Sequence, residues 1–130
     1  MAGGIERFAS GGAWEERFGY RRAVHAGPFV LVAGTTAVDE DGVVHGLGDA
    51  GAQTAFVLDR IEAALAAAGA RLDQVVQTRM FVTDMSRAEE IGRVHGARFA
   101  EHPPVSTMVQ VAALIDPRML VEIEAVAYVG

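Results

Sequence analysis

Two glutamates near the end of this 130-residue chain, in the run Leu120-Val121-Glu122-Ile123-Glu124-Ala125-Val126-Ala127-Tyr128-Val129, have the spacing of paired strand carboxylates. Alternate strand residues share a face, so Glu122 and Glu124 point the same way with Cα atoms about 6.6 Å apart, at about 3.3 Å per residue. Leu120, Val126 and Tyr128 fall on that face, and Val121, Ile123, Ala125, Ala127 and Val129 on the other, which suits a core. Carboxylates among apolar neighbours are costly to bury without partners. Their face therefore either meets water or forms a wall where charge is wanted. A partly desolvated carboxylate has a raised pKa and can shuttle protons near neutrality. Arg79, in the alternating run Val76 to Val82, is a solvated or paired strand residue; if its face bears Glu122, it neutralises a carboxylate or holds an anion.

Other chemistries are excluded by what the chain lacks. All eleven basic residues are arginine and there is no cysteine, so a Schiff-base lysine and a thiolate nucleophile are both absent. His25, His45, His95 and His102 show no metal-ligand spacing, and no nucleophile elbow occurs, so no metal and no cofactor are expected. Gly46-Leu47-Gly48-Asp49-Ala50-Gly51 matches the dinucleotide fingerprint in letters only. The strand before it is too short, and Asp49 puts negative charge where a pyrophosphate would bind. The net charge of −6 argues against affinity for phosphate backbones, hence against a nucleic-acid partner.

The elements that must position these residues follow from length and periodicity. A chain of 130 residues, 51% hydrophobic and 22% charged, is one globular domain over 1–130, burying about two-thirds of its unfolded surface. No run approaches the ~20 apolar residues that cross a bilayer. The start, MAGGIERFASGG, has no signal-peptide pattern, and a cytoplasmic location is expected. A short strand at Ile5–Ala9 precedes a glycine-rich mobile loop in which Trp14 either caps a hydrophobic edge or lines a cleft as part of a lid. Tyr20–Ala26 and Phe29–Gly34 form a hairpin turning at Gly27-Pro28. Residues 50–68 are a helix capped by Asp49 and ended by Gly69. Leu72–Val82 is a strand with Val76, Thr78, Met80 and Val82 on one face. Ser86-Arg87-Ala88-Glu89 is a capping box opening a second helix, on which Ala88, Ile91, Gly92, His95 and Phe99 form the buried stripe. Pro103–Leu114 and Met119–Gly130 supply two more strands around an Asp116-Pro117 turn. This order predicts an α+β fold with two helices on one face of a mixed sheet.

The C-terminal residues Pro104-Val105-Ser106-Thr107, Val109-Gln110-Val111-Ala112-Ala113-Leu114 and Val121-Glu122-Ile123-Glu124-Ala125 resemble the signature of the RidA/YjgF family, also called the endoribonuclease L-PSP family. The element order is similar to that family from Tyr20 to Val129. The resemblance implies a chorismate-mutase-like fold: a mixed six-stranded sheet, two helices on one face, and three such sheets closing into a homotrimer with a small-molecule cleft at each subunit boundary. It implies that Tyr20 projects into the cleft, that Val32 to Thr35, with Gly34, match a glycine-bearing stretch beside it, and that Glu122 orients a water. The segment carrying Trp14 flanks the family's cleft, and Met108, as a neighbour of Glu122, and Arg79, if its face bears Glu122, are further candidate lining residues. The family's substrate-binding arginine is replaced by Ser106, and Gly92 stands where many members have asparagine. A single neutral hydroxyl does not replace a charged bidentate fork, and the loss corresponds to about 1.5–3 kcal/mol. The cleft is thus expected not to select α-carboxylates unless Arg79 reaches it.

Three functions are compatible with these residues. The first is hydrolysis of an imine or enamine to a ketone and ammonia, with Glu122 as the catalytic group and no arginine–carboxylate anchor. The second is a non-catalytic ligand-binding or regulatory trimer, and the third is RNA cleavage, which the acidic charge opposes.

Overall fold

The structure, a computed structural model, describes residues 4–130; the reading of positions 1–3 lies outside them. Six strands form one sheet: β1 (Ile5–Phe8), β2 (Ala23–Ala26), β3 (Phe29–Thr35), β4 (Val75–Val82), β5 (Val105–Gln110) and β6 (Val121–Tyr128), in the order β1-β2-β3-β6-β4-β5. Only β4 and β5 run parallel, and every other neighbouring pair is antiparallel. Three helices accompany them: α1 (Ala13–Phe18), α2 (Ala50–Ala67) and α3 (Ala88–Arg98). The expected α+β architecture is present, a mixed six-stranded sheet with the two long helices on one face.

The last strand is central in this order. Its core face, Val121, Ile123, Ala125 and Ala127, is buried against α2 and joins Val30, Val32, Met80, Val82, Leu58, Ile61 and Leu65 in one cluster. Helix α2 starts as its sequence dictates, with the Asp49 carboxylate accepting from the Ala52 amide at 2.9 Å. Gly69, with φ of 89°, follows its last turn. Gln53, buried on α2, donates to the Arg118 carbonyl and accepts from the Leu120 amide at 2.8 Å. It thereby pins the entry to β6. The Asp116 turn is locked by Arg118, whose hydrogen bonds pull the Asp116 carboxyl down to about 2.

Four local readings are corrected. The segment carrying Trp14 is a short helix, ended by Gly19 in the left-handed region at φ 74°, and not an irregular loop. The strand from residue 72 begins with a 3-10 turn, Leu72–Gln74, and a register shift at Val75/Gln77 sends Val75 into the core and leaves Val76 exposed. Helix α3 is preceded by a 3-10 turn, Met85–Arg87, and the capping carboxylate is Asp84, which accepts from the Ser86 amide and hydroxyl. Ser86 therefore donates where it was expected to accept. The two C-terminal strands share the sheet but are not neighbours, because β4 lies between them.

Candidate functional site

Strand β6 carries Glu122 and Glu124 on the sheet face that no helix covers, together with Val126 and the exposed Tyr128. Register decides what each carboxylate meets. Glu124 lies directly opposite Arg79 and pairs with it, Arg79 Nε to Glu124 Oε1 at 2.5 Å. Arg79 thus shares the face of both glutamates and neutralises the second of them. Glu122 lies opposite Phe81 and makes no ion pair among the described residues.

The surroundings of Glu122 come from an irregularity in β3. Val32 pairs with Ala125 and Thr35 with Ile123, so β3 holds one residue more than β6 over this stretch. Such a bulge kinks a strand and re-aims its groups. Gly34 sits in it, and a Cβ there would collide with the Glu122 carboxylate, which lies against the glycine backbone. The requirement for glycine is thus one of space. The Gly34 carbonyl accepts from Arg22 Nη2 at 2.7 Å. Arg22 is 8% exposed, its Nε is covered without an acceptor, and its Cζ lies 5.9 Å from the Tyr20 ring centroid. Tyr20, Arg22, Gly34 and Glu122 therefore gather at one end of the sheet.

Their electrostatics are coupled. Burial pushes the Glu122 carboxyl above the usual carboxylate range, with Arg22 pulling against it and Glu124 adding to it. Burial lowers the Arg22 pKa, opposed by Tyr20, Glu15 and Glu122. Glu15, from α1, is buried as well and accepts hydrogen bonds from the Ser10 amide and hydroxyl. Burial raises its pKa, but Ser10, Arg22 and the Gly12 backbone together outweigh this and the net shift is downward. Arg60 of α2 donates to the Thr36 carbonyl at 2.8 Å and is close enough for Arg22 to lower its pKa, after burial.

Ser106 and Met108 are not with this group in one chain. They pair with Thr78 and Met80 on the helix-bearing face, opposite to Glu122. Thr78 donates to Ser106 Oγ at 2.9 Å and so takes a ring N–H from His95, 2.8 Å away. His95 has its pKa lowered by burial and packs at the sheet, hydrogen-bonded as its place in the buried stripe predicts. Trp14 is exposed, stacked on Phe18 at 5.2 Å with Arg17 over it. Arg22 was missed by sequence reasoning. The available signal was that it follows Tyr20 by two residues, and so shares its face if the chain is extended there.

Against known proteins, the family model for endoribonuclease L-PSP matches residues 13–129. The chain is 39% identical to an uncharacterised protein of Streptomyces coelicolor over 97% of this chain and 93% of that one. It is 37% identical to the 3-aminoacrylate deaminase RutC of Acinetobacter baylyi over 85% of this chain and 86% of that one. Among solved structures, a Mycobacterium tuberculosis protein described as a member of the YjgF/YER057c/UK114 family superposes with a TM-score of 0.88 at 49% identity, covering 97% of this chain and all of that one. With the C-terminal signature and the six-stranded sheet in agreement, the chain belongs to the endoribonuclease L-PSP family, the RidA/YjgF proteins.

Proposed function

We propose that the protein hydrolyses a small imine or enamine to a carbonyl compound and ammonia, with Glu122 as the catalytic group. The observation that carries this reading is the half-buried Glu122 carboxylate, seated on Gly34, beside Arg22 and free of any ion pair among the described residues. Family membership and the similarity to a 3-aminoacrylate deaminase support the reaction class. In the reaction, an enamine first tautomerises to the imine. Glu122 then takes a proton from water as the water oxygen bonds to the imine carbon, and the C=N π pair moves to nitrogen, which is protonated. In the collapse of the carbinolamine the hydroxyl proton passes by way of Glu122 to the amine nitrogen, the oxygen electron pair closes the C=O, and the C–N bond breaks to release ammonia. A carboxylate with a raised pKa suits both proton transfers.

The working form in this proposal is a homotrimer closed through the bare sheet faces. Phe29, Leu31, Val109 and Tyr128 on or beside that face are exposed in the single chain, and burying them would place the Glu122 wall of one subunit against the β5 edge of the next. Ser106 and Met108 lie on the helix-bearing face of the edge strand β5, so they would meet the boundary only along that edge, and position 106 would give no arginine fork to a substrate carboxylate. The missing arginine also favours one second reading, a binding trimer without turnover. The test is ammonia release from neutral and carboxylated imines generated in situ. Release from at least one neutral member is expected, and an inert protein across the panel would favour the binding trimer.

A further inference from the structure

Arg22 has an unusual hydrogen-bond inventory. A guanidinium carries five N–H donors arranged for a bidentate carboxylate. Here Nη2 is committed to the Gly34 carbonyl at 2.7 Å, and Nε is sealed without an acceptor. No protein acceptor for Nη1 occurs among the described residues, and Nη1 is not among the covered, unsatisfied atoms. Three N–H groups remain to a ligand, two on Nη1 and one on Nη2, and Nη1 is the nitrogen with neither a partner nor a cover. The surrounding charge already answers both arginines and leaves no positive excess. Arg22 and Arg60 are matched by Glu15 and Glu122, and Glu40 acts on Arg60 as a further negative neighbour. Arg22 and Glu122 both reach Gly34, one through its carbonyl and the other against its Cα, yet form no ion pair with each other. An anion beside Arg22 would meet the Glu122 carboxylate at the same glycine.

We propose that Arg22 is the specificity-determining residue of the site, donating through Nη1 to the carbonyl oxygen of a neutral, amide-type substrate while Glu122 faces its reacting carbon. The substrate class is an enamide, a lactam-like enamine or the amide of a 2-imino acid. A neutral carbonyl oxygen satisfies Arg22 without opposing Glu122, and the adjacent N–H group offers Glu122 a donor. Gly34 is the hinge of this arrangement, because its carbonyl aims the guanidinium while its missing side chain admits the carboxylate. The assignment rests on the imine-hydrolase reading for the role of Glu122, but it can be read from binding alone.

The experiment is calorimetric titration of the intact protein with 2-oxobutanamide and 2-oxobutanoate, which differ only in amide against carboxylate. The amide is expected to bind at least tenfold tighter, about 1.4 kcal/mol. Arg22→Met is expected to weaken the amide about tenfold, and Glu122→Gln to move the preference toward the carboxylate. Thermal melts establish that each variant is folded. Should Arg22→Met fail to fold, Arg22→Lys, which keeps the charge and loses the aimed Nη1, takes its place with the same expected loss. Tighter binding of the carboxylate by the wild type, binding of neither probe, or an unchanged amide affinity in the Arg22 variant would overturn the assignment. An amide preference in a protein that releases no ammonia would sink the hydrolase reading and leave the role of Arg22 standing.

Discussion

Burial opposes the charge of Glu122, and that has a sign in stability. Its folded pKa is raised above the ordinary 4.5 of a glutamate, with desolvation the largest cause. The protonated form is therefore the better folded one. The contribution of this group is fully present below pH 4.5 and is lost as pH rises through the folded pKa. Glu122→Gln should accordingly melt above the wild type at pH 7.5, with the gap closing as the pH is taken below 4.5. A gap that widened on acidification would contradict the assignment of cause. Gly34→Ala tests the neighbouring contact: the added Cβ displaces the carboxylate, so ammonia release should fall at least tenfold while the fold is kept. Glu122 was legible because its strand alternates cleanly and its neighbours match a known signature. Arg22 was not, since an Arg-Arg pair at a strand entry reads as ordinary surface charge until the β3 bulge turns a carbonyl toward it.

Among the elements, caps and registers carry the site. Helix α2 sets the entry to β6 through Gln53, and α2 itself is started by Asp49. Asp49→Ala should cost about 1 kcal/mol in urea unfolding with an unchanged m-value. The His95–Thr78–Ser106 chain ties α3 to the β4–β5 edge, and Thr78→Val would leave a buried ring N–H unpaired. That change should cost about 1–3 kcal/mol by the same measurement. The two long helices, the strands and their order were legible because α2 and β6 have strong periods and clear stop signals, whereas α1 is too short to show a period. The bulges at Val75/Gln77 and Val32/Thr35 were not, because a bulge is an agreement between two strands distant in sequence. The switch from Ser86 to Asp84 at the α3 entry has a simpler cause. Both residue types cap helices, and only the backbone decides which oxygen faces the free amides.

At the scale of the molecule, the sheet has one face covered by helices and one left bare, with apolar side chains flanking a charged end. No described helix is long and apolar enough to cross a membrane. The proposed trimer covers the bare face with copies of itself, and light scattering at micromolar concentration should give about three times 13.7 kDa. Leu31→Glu on that face should reduce the mass to that of one chain and abolish activity together with it. The central claim is that Glu122 does chemistry in an intact assembly. Its most direct measurement is ammonia release by wild type and by Glu122→Gln from the same neutral imines, with both proteins shown by light scattering to be trimers. The account predicts a loss of at least a hundredfold in the variant, consistent with the 10²–10⁴-fold typical of a positioned proton-transfer group. A trimeric Glu122→Gln protein that retained the full wild-type rate would contradict it.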